Sequence, residues 1–472
     1  VPIVQNPGPS FRRLPVVSFV VLLATFTGAA PSAGQAGSPA GPVPVELLAA
    51  RRAKLLAELD GGIAVLRSGT VRSIEGDYPQ DSDYREKNEF FYLTGLEEPD
   101  AWLVLDARGR ADRQARLYLQ PRNPQMEQWT GARLGPGPEA VALSGITDVR
   151  STASAESEIG ALVREAAAAS RPVFTDLERA GSAACRGYTP RGRSCAPALD
   201  AVDADPSLSP ESLDRLTAAL RLVKDADEIR RLKRAIDITT AADSALAAVI
   251  EPGMYEYQLE AVIEFTFRRN GAERVGFPSI VGSGPNSTTL HYDKNRRQMQ
   301  AGDLVVVDIG AEFGYYSADV TRTFPVSGTF TDRQRAIYDL VLGAQQAAMD
   351  AVRPGVTLGE LSRLARAYID AHSGDLCGGA SCTRYFIHGL SHSLGMDVHD
   401  VGSMAGPLRP GMVFTIEPGL YIADEQLGIR IEDDVLVTET GYERLSAGAP
   451  RTAADIERLI AEARSKRMTQ NQ

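Results

Sequence analysis

The stretch from Leu304 to Phe324 reads LVVVDIGAEFGYYSADVTRTF, two β-rich runs on either side of Phe313-Gly314 with one aspartate in each. With Phe313 and Gly314 as a hairpin loop, Glu312 pairs with Tyr315 and the register sets Asp308 directly opposite Asp319. Carboxylates so placed have Cβ atoms roughly 5 Å apart on one face, where like charges destabilise the pair. Val305, Val306, Val307 and Ile309 mark the first strand as interior. A buried pair of this kind needs a shared proton or a cation, and a divalent cation resolves it. Two aspartates at a solvated hairpin tip would carry no such meaning, so the pair is weighed with its company.

That company is two more acid-bearing strands and a histidine cluster. VFTIEPG, ending at Gly419, and GIRIEDD, ending at Asp434, each place a glutamate among β-branched or aromatic neighbours. An antiparallel return through the connection from Leu420 to Leu427 sets Glu417 near Glu432, and Arg430 alternates onto the face of Glu432. Taken singly, Glu417 reads as a strand-end surface acid, and Glu432 with Arg430 as a cross-strand salt bridge. Four acids on two apolar hairpins make those readings uncomfortable. His388, His392 and His399 then fall close together in a chain with only 5 histidines. His388 and His392 are spaced as in a zinc-protease helix, but Gly389 stands where that motif needs glutamate. The cluster still favours a metal or catalytic site over structural histidines. His291, after the Gly282-Ser283-Gly284-Pro285 turn, is a further candidate, whereas His372 lies in a polar stretch and reads as surface.

These residues need a scaffold, and 472 residues are too many for one ordinary core. Residues 1–36 read as a secretory signal peptide: Arg12-Arg13, an apolar run from Leu14 to Ala30, then a small-residue exit to Ala36. The run is shorter than the roughly 20 residues that span a bilayer, so stable membrane insertion is not expected. Residues 37–202 alternate helix and strand patterns, giving an α/β N-terminal domain. The helix candidates there are Glu46–Leu59 and Ala155–Ala169, and the strand candidates begin at Ile63, Phe90, Ala101 and Ala115. Residues 203–218 read as a linker, and a long helix opening at Lys224 begins the second domain, 219–472. The formal net charge of −11 argues against a nucleic-acid partner. Four cysteines in two close pairs, Cys185 with Cys195 and Cys377 with Cys382, read as two disulfides and fit a secreted or periplasmic location.

Four motifs, VDIGAEFGYYSADVTRTFP, HGLSHSLGMDVHDVG, TIEPGLYI and GIRIEDD, make residues from about 220 to 450 resemble the pita-bread metallopeptidases. The resemblance is to their proline-directed branch, which contains aminopeptidase P and prolidase. REKNEFFYLTGLEEPDAWLVLD and LYLQPRNPQMEQWTGARLG are similar to the N-terminal domain of the same proteins. The resemblance implies an α+β chain, with a pita-bread catalytic domain of the creatinase/aminopeptidase type behind the α/β domain. It implies two divalent ions, Mn²⁺ first with Zn²⁺ or Co²⁺ as alternatives. Asp308 would hold one ion, Asp319 and Glu432 would bridge both, and His392 with Glu417 would complete the second. Glu417 would also be the general base, acting on a metal-bridging water acidified to give hydroxide. His291, His388, His399 and Arg430 match substrate-contacting and transition-state residues, and Tyr421 a tyrosine close to the site.

The activity implied is that of an Xaa-Pro aminopeptidase acting on proline-containing peptides, with a homo-oligomer, dimer or tetramer, as the assembly. An Xaa-Pro dipeptidase shares every one of these residues and is the alternative. A non-catalytic peptide-binding protein on the same fold would lack ligands, and none is lacking.

Overall fold

The computed structural model describes residues 39–70, 84–175 and 211–470. The expected signal peptide and the Cys185–Cys195 pair lie outside them. Near the N-terminus, β1 (Ile63–Arg67), β2 (Trp102–Asp106), β3 (Ala115–Leu119), β4 (Asp148–Ser151), β5 (Val173–Thr175) and β6 (Glu211–Ser212) form one sheet in the order β4-β3-β2-β1-β5-β6. Strict alternation divides its residues between two cores. Ile63, Val65, Trp102, Val104 and Tyr118 face a cluster with Ala155, Ile159, Val163 and Ala166 of the helix Ala155–Ala168. Ala64, Leu66, Leu103, Leu105 and Leu117 face the main core, to which the helix Val45–Glu58 contributes Leu48 and Leu55. Helix residues four or three apart and strand residues two apart are the periods that bury one face of each element.

Two sequence expectations are corrected here. The run beginning at Phe90 is not a strand but the helix Asn88–Thr94, buried on nearly every side. A short apolar run carries no period to distinguish the two. The signal for helix lies after it: Gly95 takes a left-handed φ of 69° and donates its N–H to the Phe91 carbonyl, while the Thr94 hydroxyl donates to the Phe90 carbonyl at 2.7 Å. The stretch expected as linker is structured from Glu211, with β6 joining the N-terminal sheet and a helix at Asp214–Arg221.

The second half opens on the helix Ala226–Ala247, whose N-terminus is closed by a capping box of Asp225 and Glu228. Its sheets follow as β7 (Arg274–Val275), β8 (Ile280–Ser283), β9 (Leu304–Ile309), β10 (Ala311–Phe313), β11 (Tyr316–Ser317) and β12 (Val320–Pro325). They continue with β13 (Val413–Ile416), β14 (Gly419–Ile422), β15 (Leu427–Arg430), β16 (Asp433–Val437) and β17 (Tyr442–Arg444). Pairing among these strands is antiparallel throughout: β12-β9-β8, β11-β10-β7, β13-β16-β17 and β14-β15. The helices Asp332–Met349 and Leu358–His372 pack against each other over this assembly, each started by a threonine capping box. Among the described residues no helix is long and apolar enough to cross a membrane.

Candidate metal centre

β9 is buried along its whole length, so the Asp308 carboxylate is delivered to the interior by a strand that has no solvent face. Its partner strand is shifted from the expected register. β9 and β12 pair Asp308 with Thr321, and β10 and β11 pair Phe313 with Tyr316. The loop is therefore Gly314-Tyr315, not Phe313-Gly314, and Asp308 does not face Asp319 directly. Both loop residues have positive φ, 57° and 75°, as a type I′ hairpin turn demands. A tyrosine is an unusual choice there, and its surroundings explain it. The Tyr315 ring stacks on Phe91 with centroids 3.7 Å apart, and its hydroxyl accepts the Glu86 N–H at 3.0 Å. A register change of two residues keeps every side chain on its face. Asp319 thus remains on the side of Asp308, and after burial the nearby Asp308 charge is the next cause that raises its pKa.

The second acidic pair lies as expected. β13 pairs with β16 through Ile416 and Asp433, and β14 with β15 through Gly419 and Arg430. Both ladders share one register, which places Glu417 across from Glu432 in the gap between them. The two hairpins are joined by the Glu432 N–H donating to the Thr321 carbonyl at 3.1 Å and the Asp319 N–H to Asp434 Oδ2 at 3.2 Å. His392 comes from a loop, not a helix. The chain around it runs beside β13: Thr415 N–H donates to the His392 carbonyl and Glu417 N–H to the Leu390 carbonyl, both at 3.0 Å. His392 Nε2 consequently lies 3.3 Å from Asp319 Oδ2 and 3.4 Å from Glu417 Oε1.

Asp319, His392 and Glu432 each offer a ligand atom within 4.8 Å of the others. Burial lifts the pKa values of Asp319 and Glu432 well above the carboxylate range, and neighbouring acids add to it; burial also raises Glu417. Asp308 Oδ1 and Asp319 Oδ1 are buried without a hydrogen-bond partner. Four carboxylates, two of them with unpartnered buried oxygens, beside one imidazole are the donor set of a hard or borderline divalent cation. The residues fit such an ion.

A single proton order links the remaining residues. Arg430, buried, donates to Asp308 Oδ2 at 2.6 Å, to the Tyr421 hydroxyl at 2.9 Å and to Thr321 Oγ1 at 3.1 Å. Thr321 in turn donates its hydroxyl to Glu432 Oε2 at 2.5 Å. His388 Nδ1 lies 2.7 Å from the Gly389 carbonyl, which can only accept, so Nδ1 carries the proton and Nε2 accepts from Tyr421 at 2.9 Å. Burial, with Arg430 next, depresses the His388 pKa to about 4, and burial followed by His392 lowers that of His399. Both imidazoles are neutral near pH 7. The site opens on a cavity of about 440 Å³ lined by Phe277, Leu290, His291, Val398 and His399 in addition to the acids. His372 lies apart, exposed, its ring stacked on Tyr368. Cys377 and Cys382 are joined as a disulfide ahead of the helical turn Cys382–Tyr385 that leads to His388.

Sequence reasoning missed the hydroxyls that couple the ligands. Thr321 sits two residues beyond Asp319, and Thr415 two residues before Glu417, donating to its Oε1 at 3.2 Å. The same period of two that marked the acids marks these threonines as facing the site.

A mixed antiparallel assembly that presents buried acids and a loop histidine to an open cleft is the architecture of a metal-dependent hydrolase. Residues 230–439 match the model of metallopeptidase family M24, and residues 48–170 match the aminopeptidase P N-terminal domain. The chain belongs to metallopeptidase family M24. It is 35% identical to the Xaa-Pro aminopeptidase of Escherichia coli K12 over 451 residues, spanning 88% of this chain and 98% of that one. Xaa-Pro aminopeptidase 1 of Streptomyces coelicolor is 35% identical over 454 residues, 88% of this chain and 86% of its own length. Among solved structures, aminopeptidase PepP of Pseudomonas aeruginosa superposes with a TM-score of 0.78 at 33% identity, covering 90% of this chain and 99% of that one. A zinc-substituted E. coli aminopeptidase P in complex with product matches with a TM-score of 0.76 at 33% identity. The fold is that of aminopeptidase P, and the α+β expectation with an N-terminal α/β domain holds.

Proposed function

We propose that this chain is a two-metal Xaa-Pro aminopeptidase that releases the residue preceding an N-terminal proline. The observation that carries this reading is the convergence of Asp308, Asp319, His392, Glu417 and Glu432 on one cleft, with buried aspartate oxygens left unpartnered. Asp308 would hold one ion, His392 and Glu417 the other, and Asp319 with Glu432 both. When bound, the ions supply a water acidified to near-neutral pKa and withdraw charge from the scissile carbonyl. Mn²⁺ suits the oxygen-rich set, with Zn²⁺ and Co²⁺ as the alternatives.

The chain's own groups do the rest. Glu417 takes a proton from the attacking water and delivers it to the leaving nitrogen. That nitrogen is proline's and bears no N–H in the substrate, so it offers nothing for an ordinary backbone clamp to hold. Phe277, Leu290 and Val398 present apolar surface suited to the pyrrolidine ring. His399 lines the cavity and serves the developing oxyanion. His388 is relieved of that role because both its ring nitrogens are engaged, and it orients Tyr421 and through it Arg430. His291 contacts the substrate from the cavity wall.

The test is a panel of Xaa-Pro and Xaa-Pro-Yaa-Zaa peptides assayed with Mn²⁺, Zn²⁺ and Co²⁺. Release of the first residue from the longer peptides is expected, and cleavage of the dipeptide alone would overturn the aminopeptidase reading. The proposed export of the chain rests on the sequence of residues 1–36 and is checked by N-terminal sequencing of exported protein. A dimer or tetramer is the assembly to be checked by light scattering.

A further inference from the structure

The two segments that carry the proposed ligands, the β9–β12 hairpin and the His392 loop, meet away from the cleft at one side chain of the N-terminal domain. Arg85 donates from Nε to both carboxylate oxygens of Glu312 on β10, at 3.0 and 2.8 Å. From Nη2 it donates to the Met396 carbonyl at 3.2 Å, in the loop between His392 and His399. Its third branch, Nη1, is fixed by Asn88 Oδ1 at 2.9 Å, and the guanidinium lies 4.9 Å from the centre of the Tyr315 ring. The same two segments touch directly only a few residues away, where the Ser317 N–H donates to the Gly395 carbonyl at 2.9 Å. Ser317 is two residues from Asp319 and Gly395 three from His392. The planar guanidinium therefore fixes, in one rigid fork, how far the aspartate hairpin stands from the histidine loop.

We infer that Arg85 is a positioning residue for the metal centre: the N-terminal domain uses it to set Asp308 and Asp319 against His392. The inference rests on the metal reading above. Glu312 also receives Arg274 Nη1 at 2.8 Å, so loss of Arg85 does not strand a buried charge, and the fold is expected to survive. Arg85 does not line the cavity, and acts only through backbone and strand placement.

The test uses full-length wild type, Arg85→Met and Arg85→Lys, each stripped of metal and titrated with Co²⁺ by calorimetry and visible absorption. Melting temperature, kcat and KM are measured on the same preparations. Lysine can keep the charge on Glu312 but has no second branch for Met396. The expected result is a Co²⁺ affinity lowered about tenfold in both variants. An altered Co²⁺ absorption band and a fall in kcat at near-constant KM should accompany it, with the melting temperature of Arg85→Lys close to wild type. Wild-type Co²⁺ affinity, spectrum and kcat in Arg85→Lys would overturn the role whatever happens to stability, and they decide the matter if Arg85→Met fails to fold. A wild-type protein that takes up no Co²⁺ would instead overturn the metal reading on which the inference stands.

Discussion

Replacing Glu417 by glutamine separates the proton chemistry of this side chain from its place in the fold. The Glu417 backbone N–H is held by the Leu390 carbonyl and its Oε1 accepts from Thr415 Oγ1 at 3.2 Å. A glutamine keeps the size, the backbone bond and, through its amide oxygen, the threonine contact. It also removes a charge that burial already disfavours. The metal-free variant should thus be no less stable than wild type. Turnover is another matter, because the amide accepts no proton near neutral pH. A positioned general base is worth about 10²–10⁴ in rate, which is roughly 2.7–5.4 kcal/mol of barrier. The expected kcat for release of the first residue from an Xaa-Pro-Yaa-Zaa peptide is therefore lower by about a thousandfold. Metal content must be measured on the same samples, since Glu417 is also a proposed ligand. Residual kcat within about tenfold of wild type at full metal occupancy would refute the base role. Restoration of full activity by excess metal would refute it equally, by reducing Glu417 to a ligand.

Other consequences follow from the surroundings of the centre. Asp243 is wholly buried, neither of its oxygens has a hydrogen-bond partner, and burial raises its pKa from 3.8 to about 7. The folded state then binds this proton more tightly than the unfolded chain, so the stabilising contribution is full below pH 3.8 and lost as pH rises through about 7. Asp243→Asn should flatten thermal stability between pH 5 and 8 and raise it at pH 8, by on the order of 4 kcal/mol; an unchanged pH slope would contradict the assignment. Gly310 joins β9 to β10, and a Cβ there would run into the Ala318 carbonyl beside Asp319. Gly310→Ala should lower both melting temperature and metal affinity, and calorimetric metal titration equal to wild type would rule out this strand contact as a constraint on the site. Serine at both Cys377 and Cys382 removes a closure of only a few residues and should cost about 2 kcal/mol in denaturant unfolding. A variant as stable as wild type would show that the staple adds nothing.

Much of the centre was legible because its residues obey short periods. Each acid sits in an apolar strand whose alternation fixes its face, so the errors that sequence permits leave the chemistry intact. The hairpin register shows this: the loop was placed one residue early, yet the resulting shift of two kept Asp308 and Asp319 on the same side. What decided the loop was Tyr315 at positive φ, held by Phe91 and by the Glu86 N–H, partners more than 220 residues away in the chain. The helix Asn88–Thr94 was misread for a related reason. A short run buried by tertiary contacts on nearly every side shows too little of a polar face to reveal its period. The occupied nitrogens of His388 were also out of reach, since they depend on how Tyr421 and Gly389 meet in space. Charge couplings such as Arg85 with Glu312 join distant positions, and no local pattern announces them.

The central claim is that two divalent ions, held by five residues of this cleft, drive cleavage before proline. Its most direct test is a titration of metal-free protein with Mn²⁺ while release of the first residue from an Xaa-Pro-Yaa-Zaa peptide is followed. The account predicts a rate that starts near zero and saturates at two equivalents per chain, with the same two ions recovered by elemental analysis. Full activity at one equivalent, or a rate indifferent to added metal, would contradict it.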